Sequence, residues 1–416
     1  MTKISAVTKS ATSLATNVLL VGGCYGGLSA LVHLRNSLKE KTLSKKVNVT
    51  LVEPKAGLLN ILGVPRAIVD PEFAKTQYVP LDEFRTLHFD HLVSDDKYVL
   101  QTAGPKIQPG VNEHVEVTYV QGKVTKLGKQ EAEYSLNGGA GGTEKITFDY
   151  CVLAAGRNRT WPTSPDAINT ESFLEEVTKF NSTVKQSNRI AVVGAGAVGI
   201  EIAGDIKTKH PDKEVMLIHP HATFPPEKLS DEFKQKVRES LERANVKVMT
   251  GLRVKRELEN KNLELTNGDI IEADFTYWCT SFKNNTDLLG EELSHFVSPK
   301  NNVYINGYLQ LAHPETNEVI ENIFCVGDMT ETPNIKTAGW AISMGRHVGN
   351  YLSSLIVDGK LSGDEFPVDR PSAMLLVCGN EDIISEVGGE VVVNKPIYIE
   401  QYKTYKFATV RNTLGV

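Results

Sequence analysis

The chain has 416 residues, of which 41% are hydrophobic and 23% charged. These fractions are ordinary for a folded globular protein, and the length suggests two or three domains. The formal net charge of −6 differs from the basic surface of nucleic-acid binders, so we expect no nucleic-acid partner. The five cysteines form no CxxC pair, which argues against a dithiol motif or a zinc site. The histidines show no metal spacing, and we interpret them as surface or loop residues.

The N-terminal region raises the question of targeting. The stretch from Asn17 to Leu34 is largely apolar but contains four glycines, so we expect a strand, a turn and a helix rather than a membrane span. Residues 1–16 are rich in Ser and Thr like a mitochondrial transit peptide, but they lack its Arg residues. Met1-Thr2 excludes N-myristoylation, which requires Gly at position 2. We predict a cytoplasmic protein, with a mitochondrial or a membrane- or lipid-droplet-associated location as the alternatives.

A first strand–turn–helix unit covers residues 17–54. Val18–Val21 predicts a short buried strand, and the next strand ends at Glu53. The turn between them, the first glycine turn, consists of Gly22, Gly23, Cys24, Tyr25, Gly26 and Gly27. Small residues here let a dinucleotide pyrophosphate approach the helix N-terminus, and a carboxylate at the second strand end accepts hydrogen bonds from ribose. Cys24 replaces the usual middle glycine, and we expect its small thiol to be tolerated.

A second unit repeats the pattern more closely. Arg189–Val193 predicts a strand, and Glu214–Ile218 predicts the next one. The second glycine turn between them has all three fingerprint glycines, Gly194, Gly196 and Gly199. His219 stands where NAD-binding folds usually carry an acid. A carboxylate would repel a 2′-phosphate and a histidine would not, so both NADH and NADPH remain candidate co-substrates.

The order of the remaining strands predicts the domain organisation. Apolar strands are expected at 148–156, 274–281 and 322–328, as in a chain that leaves one dinucleotide-binding domain for an inserted second domain and returns. Two such sites suit a resident FAD and a visiting NAD(P)H. We therefore predict an α/β protein with two Rossmann-like, three-layer domains. Residues 1–160 and 286–365 would form the FAD-binding domain, 161–285 the NAD(P)H-binding domain, and 366–416 a small C-terminal α/β segment.

With these motifs the chain resembles the FAD-dependent pyridine nucleotide-disulfide oxidoreductases, which share a glutathione-reductase-like fold. It looks most like their apoptosis-inducing-factor-like group, which includes the ferroptosis suppressor proteins. The most specific segment is 190–220, IAVVGAGAVGIEIAGDIKTKHPDKEVMLIHP. The resemblance implies further FAD contacts at Arg66, Val124, Ala155, Gly156, Asp328, Thr337 and Ala338.

The predicted mechanism follows from the missing dithiol. Electrons would pass from the flavin directly to a diffusing acceptor, and the resemblance implies a quinone, or oxygen at a low rate. Lys336 and Glu201 are the predicted catalytic residues, and we expect them to form an ion pair near the flavin. A helix that begins near Thr337 would point its positive end at the flavin ring. Cys24, Cys151 and Cys325 are expected to be buried, inert thiols.

Two other functions stay open. One is a redox-sensing or cell-death signalling flavoprotein with slow turnover and a long-lived complex of reduced flavin and NAD. The other is a type 2 NADH dehydrogenase firmly attached to a membrane, which would need an amphipathic C-terminal helix where the tail predicts strands. An apolar surface over the flavin is expected from Ile397, Ile399, Tyr402, Tyr405 and Phe407. That surface would form a quinone entrance, a dimer interface or a peripheral membrane contact, and both a monomer and a homodimer remain open.

Overall fold

The computed structural model describes residues 15–107, 115–139, 142–160, 164–368 and 373–416. Its strands are β1 (Ala15–Val21), β2 (Lys46–Glu53), β3 (Gly57–Leu59), β4 (Tyr78–Pro80), β5 (His91–Val93), β6 (Val115–Leu127), β7 (Glu131–Leu136), β8 (Thr143–Thr147), β9 (Tyr150–Leu153), β10 (Arg157–Arg159), β11 (Arg189–Val193), β12 (Glu214–His219), β13 (Lys247–Thr250), β14 (Val254–Glu257), β15 (Leu263–Leu265), β16 (Ile270–Ile271), β17 (Phe275–Trp278), β18 (Ser281–Asn284), β19 (Gln310–Ala312), β20 (Val319–Cys325), β21 (Ala373–Val377), β22 (Ile383–Val387) and β23 (Glu390–Val393). Its helices are α1 (Tyr25–Leu38), α2 (Val64–Ala67), α3 (Pro71–Ala74), α4 (Lys97–Thr102), α5 (Thr170–Gln186), α6 (Ala197–Lys209), α7 (Asp231–Arg243), α8 (Ala338–Asp358), α9 (Pro396–Tyr402) and α10 (Phe407–Leu414).

The first sheet joins strands from residues 15–153 with the two later strands β19 and β20. Its order is β19-β20-β9-β1-β2-β6-β7-β8, with β5 also paired to β6. The pairs from β20 through β9, β1 and β2 to β6 are parallel. Helices α1 and α8 pack together at close range because α8 carries glycines at the contact. An added Cβ at Gly345 would lie 2.2 Å from the carbonyl oxygen of Gly26. The sheet and this helix pair form the body of the first unit.

The second sheet is smaller and entirely parallel, in the order β13-β12-β11-β17. Its central strands read as continuous apolar runs because both faces are covered, and Ile190, Val192 and Leu217 are all fully buried. The chain enters and leaves this unit beside β10 and β18, which pair antiparallel. The two crossing segments therefore lie side by side between the sheets.

The C-terminal segment begins with the antiparallel strands β21, β22 and β23. It ends in the two helices α9 and α10, so the expectation of strands in place of a C-terminal helix was wrong, while the small α/β segment is as predicted. Helix α10 buries Phe407 in the core of the first unit. Tyr405 is also fully buried, whereas Ile397 and Ile399 on α9 are 56% and 41% exposed. The predicted apolar surface is therefore divided between the core and the solvent.

The predicted fold class, two Rossmann-like units with a small C-terminal α/β segment, is confirmed. The apolar stretch that begins at Asn17 forms β1, the first glycine turn and α1, as expected. Within the described ranges, no helix is both long and apolar enough to cross a membrane. The segment compared with a transit peptide lies almost entirely outside the described residues.

Candidate active site

The first glycine turn brings backbone segments into contact. Gly22 has φ +103°, and an added Cβ would lie 2.4 Å from the carbonyl oxygen of Ala154. An added Cβ at Gly27 would lie 1.9 Å from the carbonyl oxygen of Gly22. Side chains are therefore excluded at both positions by backbone atoms. Cys24 has an extended conformation, with φ −96°, just before α1.

The second glycine turn has the same geometry. Gly194 has φ +107°, and an added Cβ would lie 2.6 Å from the carbonyl oxygen of Cys279. An added Cβ at Gly199 would lie 1.9 Å from the carbonyl oxygen of Gly194. The middle glycine is different, because no described atom lies within 4 Å of an added Cβ at Gly196. The fold thus requires the first and third glycines, and it accepts Cys24 at the middle position of the first turn.

In each unit, a backbone N–H of the glycine turn donates a hydrogen bond to the last residue of the strand that follows the helix, β2 or β12. The Gly23 N–H donates to Glu53 Oε2 at 2.7 Å, and burial raises the pKa of this carboxyl. In the second unit the Ala195 N–H donates to His219 Nδ1 at 3.2 Å. Glu53 and His219 therefore occupy equivalent positions. His219 is only 6% exposed, so its interpretation as a surface or loop histidine was wrong.

A cavity of about 370 Å³ lies between the second glycine turn and the segment that precedes α8. Residues that line this central cavity include Arg157, Arg159, Gly196, Ala197, Cys279 and Lys336. Arg159 also lies near the first glycine turn, since its charge lowers the pKa of Tyr25 against the larger, opposite effect of burial. The two units thus meet at this cavity.

Positive charge is concentrated beside the central cavity. Arg157 and Arg159 alternate along β10, and both reach Asp328. The nitrogen–oxygen distances to Asp328 Oδ2 are 3.4 Å from Arg157 Nε and 2.9 Å from Arg159 Nη2. Lys336 adds a third cation, and burial lowers its pKa. Arg157 and Arg159 therefore share the Asp328 carboxylate, and with Lys228 and Lys336 against Glu227 the lining carries more basic than acidic side chains.

The expected ion pair between Lys336 and Glu201 is not formed in the described part of the chain. Lys336 Nζ donates to the carbonyl oxygen of Thr330 and, at 2.9 Å, to Thr332 Oγ1. Glu201 lies on α6, where its Oε1 accepts a hydrogen bond from the Val377 N–H at 3.4 Å. Local hydrogen bonds hold the lysine in its own loop, so the prediction of this pair was wrong.

Arg66, and not Lys336, forms an ion pair with an acidic residue of α6. Its Nη2 lies 3.0 Å from Asp205 Oδ1, and its Nε donates to the same oxygen at 3.2 Å. The Tyr405 hydroxyl donates to the other Asp205 oxygen at 2.7 Å. The side chains of Arg66 and Asp205 are only 11% and 2% exposed. This cluster joins the first unit, the second unit and the C-terminal segment.

Two buried carboxyl groups share this region. Burial, and then the charge of Asp205, raises the pKa of Glu201 to about 8. Burial also raises the pKa of Asp205 against the attraction of Arg66. Sequence reasoning missed Asp205, and it placed Tyr405 on an apolar surface rather than in a hydrogen bond with this carboxylate. A usable signal was present, because Asp205 follows Glu201 by four residues in the apolar first part of α6 and therefore shares its face.

The remaining predicted cofactor residues are placed as follows. Tyr25 donates its hydroxyl to Asn60 Oδ1 at 2.7 Å. Val124 is buried within β6. Ala155 and Gly156 follow β9. Thr337 caps α8, because its hydroxyl oxygen accepts the Trp340 N–H at 3.2 Å, and Ala338 is the first residue of that helix. The cofactor contacts of these residues, including the FAD contact expected for Arg66, stay predictions.

The thiols show no sign of activation. Burial, as the largest effect, raises the pKa of Cys24 and of Cys325 to about 12. Burial likewise raises the pKa of Cys151. A reactive cysteine requires the opposite shift, toward the thiolate. These values support the interpretation of all three as inert.

Two sheets with parallel central strands, each with a glycine turn that leads into a helix, define an oxidoreductase of the two-dinucleotide-domain class. The sequence model of the family "Pyridine nucleotide-disulphide oxidoreductase" matches residues 16–345, and the chain belongs to this family of NAD(P)H-dependent flavin oxidoreductases.

Among its relatives, Oxidoreductase OXR1 from Ajellomyces capsulatus is 29% identical over 82% of this chain and 74% of its own length. Apoptosis-inducing factor homolog B from Dictyostelium discoideum is 24% identical over 94% and 97%. Ferroptosis suppressor protein 1 from Homo sapiens is 23% identical over 91% of both chains. These relatives confirm the resemblance to the apoptosis-inducing-factor-like group.

Solved structures confirm the fold. NDH2 from Plasmodium falciparum, in complex with NADH, matches 96% of both chains with a TM-score of 0.66 and 11% identity. A NAD-dependent persulfide reductase from A. fulgidus matches 89% of this chain with a TM-score of 0.64 and 18% identity. This chain covers 63% of that reductase, which is less than two thirds of its length.

Proposed function

We propose that this protein transfers hydride from NADH or NADPH to a bound FAD and passes the electrons to a quinone, or slowly to oxygen. The main support is the central cavity, which the second glycine turn and the segment before α8 line together. When bound, FAD supplies the hydride-accepting and electron-donating chemistry. The name of the relative Oxidoreductase OXR1 and the complex of NDH2 with NADH support an oxidoreductase that uses a nicotinamide co-substrate.

The residues of the first unit fit an FAD dinucleotide. The tight backbone approach at Gly22 and Gly27 exposes the N-terminus of α1, where N–H groups would hold the pyrophosphate. Glu53 stands at the end of β2, where a carboxylate would accept ribose hydroxyls. Gly156 has φ +63°, and no described atom lies within 4 Å of an added Cβ, so a planar ring could approach its backbone.

The charged groups of the cavity would stabilise negative charge. Four basic side chains, Arg157, Arg159, Lys228 and Lys336, line the cavity against the one carboxyl group of Glu227, and Asp328 pairs with the two arginines. The N-terminus of α8, which Thr337 caps, adds about half a positive charge. Preorganised positive potential near a developing anion is often the largest single contribution to catalysis. In this proposal Lys336 contributes potential from its own loop, without Glu201 as its partner.

Glu201 is suited to hold a proton. Because its pKa is raised to about 8, the carboxyl is largely neutral at physiological pH. Reduction of a quinone to a quinol takes up two electrons and two protons, so a buried neutral carboxyl near the second glycine turn is a reasonable proton source. We retain Glu201 as a proposed catalytic residue in this role.

Stopped-flow spectroscopy of the yellow FAD-loaded protein tests the proposal. The protein is reduced with NADH or NADPH and then mixed with a ubiquinone analogue or with aerated buffer. Fast reoxidation by the quinone supports the enzyme. A persistent charge-transfer band with slow reoxidation by both acceptors favours the signalling alternative, and a colourless protein that cannot bind FAD overturns the proposal.

The cellular location and the oligomeric state of the protein are also proposals. We retain a cytoplasmic monomer or homodimer, with the mitochondrion or a membrane surface as the alternative locations. Contact with a membrane would fall on α9, because Ile397 and Ile399 are exposed there between Lys395 and Lys403. Flotation with liposomes of mixed anionic and neutral lipid tests this contact.

A further inference from the structure

One carboxyl group lines the central cavity, and it belongs to Glu227. The apolar part of the lining comes from Val198, Pro226, Ile335 and Met374. At about 370 Å³, the cavity has the size of a small-molecule site, and such sites combine apolar walls with a few polar groups. An apolar ring that carries an oxygen atom suits this lining.

The chain fixes the position of Glu227 from both sides. Phe224, which precedes it, is only 1% exposed. Leu229, which follows it, is buried, and the Leu229 N–H donates to the Glu227 carbonyl oxygen at 2.9 Å. The Ser230 N–H donates to Glu386 Oε2 at 2.9 Å. Buried residues and hydrogen bonds therefore hold this segment in the cavity wall.

Glu227 has no basic partner, although basic side chains line the same cavity. Among the described residues, none forms an ion pair with its carboxyl group, and its Oε2 is buried without a hydrogen-bond partner. The two arginines of β10 pair with Asp328 instead, and Lys336 donates within its own loop. Burial, as the largest effect, raises the pKa of Glu227 against the smaller effect of Lys234. The neutral acid is favoured, because an unpaired buried carboxylate is costly.

The proposed reaction needs one proton beyond those of its electron donor. NAD(P)H supplies two electrons and one proton as hydride, whereas a quinone takes up two electrons and two protons to become a quinol. A neutral carboxyl group in the cavity wall can break its O–H bond while an O–H bond forms on the quinone oxygen. The carboxylate then regains a proton from water, because Glu227 is partly exposed and its neighbours Pro226 and Lys228 are exposed.

We infer that Glu227 donates this proton to a quinone bound in the central cavity, as a second acid beside Glu201. Glu201 does not line the cavity, so Glu227 is the acid that a ligand there would contact directly. This inference rests on the proposed function, because it assigns an acid to the acceptor step of the same reaction.

Stopped-flow reoxidation of the NADH-reduced, FAD-loaded protein by two acceptors tests the inference. Decylubiquinone takes up electrons and protons, whereas ferricyanide takes up electrons alone. Glu227→Gln keeps the shape of the side chain and removes the acidic proton. Glu232→Gln is the matched control, since Glu232 is exposed in the first turn of α7. E227Q should slow reoxidation by decylubiquinone by at least about tenfold and leave reoxidation by ferricyanide and reduction by NADH unchanged, and E232Q should change none of them.

Infrared difference spectroscopy gives a second measurement that needs no turnover. Spectra of the oxidised, FAD-loaded protein are compared with and without decylubiquinone. We expect quinone binding to shift the C=O band of a protonated carboxyl group. E227Q should lack this shift, and E232Q should keep it.

Three results would overturn the inference alone. They are a smaller loss with decylubiquinone in E227Q, an equal loss with ferricyanide, and the absence of a shifted carboxyl band in the wild type. The last result decides the question even if E227Q binds no FAD. If the wild type binds no FAD, or if decylubiquinone does not reoxidise it, the proposed function itself fails.

Discussion

Replacement of Arg66 by Met should destabilise the protein strongly. Met keeps an unbranched apolar stem and removes the guanidinium, so Asp205 loses both of its bonds to Arg66 and retains only the Tyr405 hydroxyl. Because the Asp205 side chain is 2% exposed, water cannot replace the lost donors. Removal of one partner from a buried ion pair costs about 3–5 kcal/mol, and we expect a loss in this range near pH 8.

The loss should depend on pH. Without the guanidinium, the Asp205 carboxyl avoids part of the penalty by binding a proton, and its folded-state pKa rises further above its unfolded value. A raised carboxyl pKa gives stability that is present at low pH and lost as the pH rises through the folded-state pKa. R66M should therefore be closer to wild type at about pH 5.5 than at about pH 8.

Urea unfolding of the FAD-loaded protein at these two pH values measures both effects. The double variant R66M/D205N should recover much of the loss, because it leaves no uncompensated charge. Arg256→Met is the matched control, since Arg256 is 64% exposed in its pair with Glu264 and should have little effect. A loss for R66M below about 1 kcal/mol at both pH values, or no recovery in the double variant, would refute the reasoning.

The remaining predictions concern single residues of the site. Because the pKa of Glu201 is raised to about 8, wild type should lose stability as the pH rises from about 5 to about 8. In thermal unfolding, Glu201→Gln should make stability depend less on pH. An unchanged pH dependence in this variant would contradict the raised pKa of Glu201. Gly196→Ala should leave folding intact and weaken NADH binding by about tenfold or more in a fluorescence titration, whereas Gly104→Ala, at an equally open position, should change neither. Lys336→Ala should lower turnover while the flavin absorbance is retained, with the exposed Lys300→Ala as the control; unchanged quinone reduction would remove Lys336 from the mechanism.

The sequence was sufficient to predict the architecture because its signals are local. Val18–Val21 and Arg189–Val193 are short apolar runs that lead directly into glycine turns, and both form parallel strands. The glycines at 22 and 194 are required by positive φ angles, which is a property of the backbone at those positions alone. Such signals can be recognised without knowing which residues pack against these segments.

The side-chain partners could not be predicted in the same way. Arg66 and Asp205 are 139 residues apart, and their contact depends on how α2 packs against α6. The interpretation of Lys336 correctly placed it at the start of α8, but the direction of a long flexible side chain depends on nearby acceptors such as Thr332. In the tail, Ile397 and Ile399 were expected only as part of an apolar surface, although Pro396 before them suits the first turn of a helix.

The two units have the same geometry at positions where backbone atoms are in contact. They differ in residue type at positions that would face a ligand. Gly22 and Gly194 have nearly the same φ, and Gly27 and Gly199 make the same close approach. The differences fall at Cys24 against Gly196, and at Glu53 against His219. Because the shared positions already secure the fold, these differences impose no change in architecture. Under the proposed function, these differences correspond to a difference in ligand, with a resident dinucleotide in the first unit and an exchangeable one in the second.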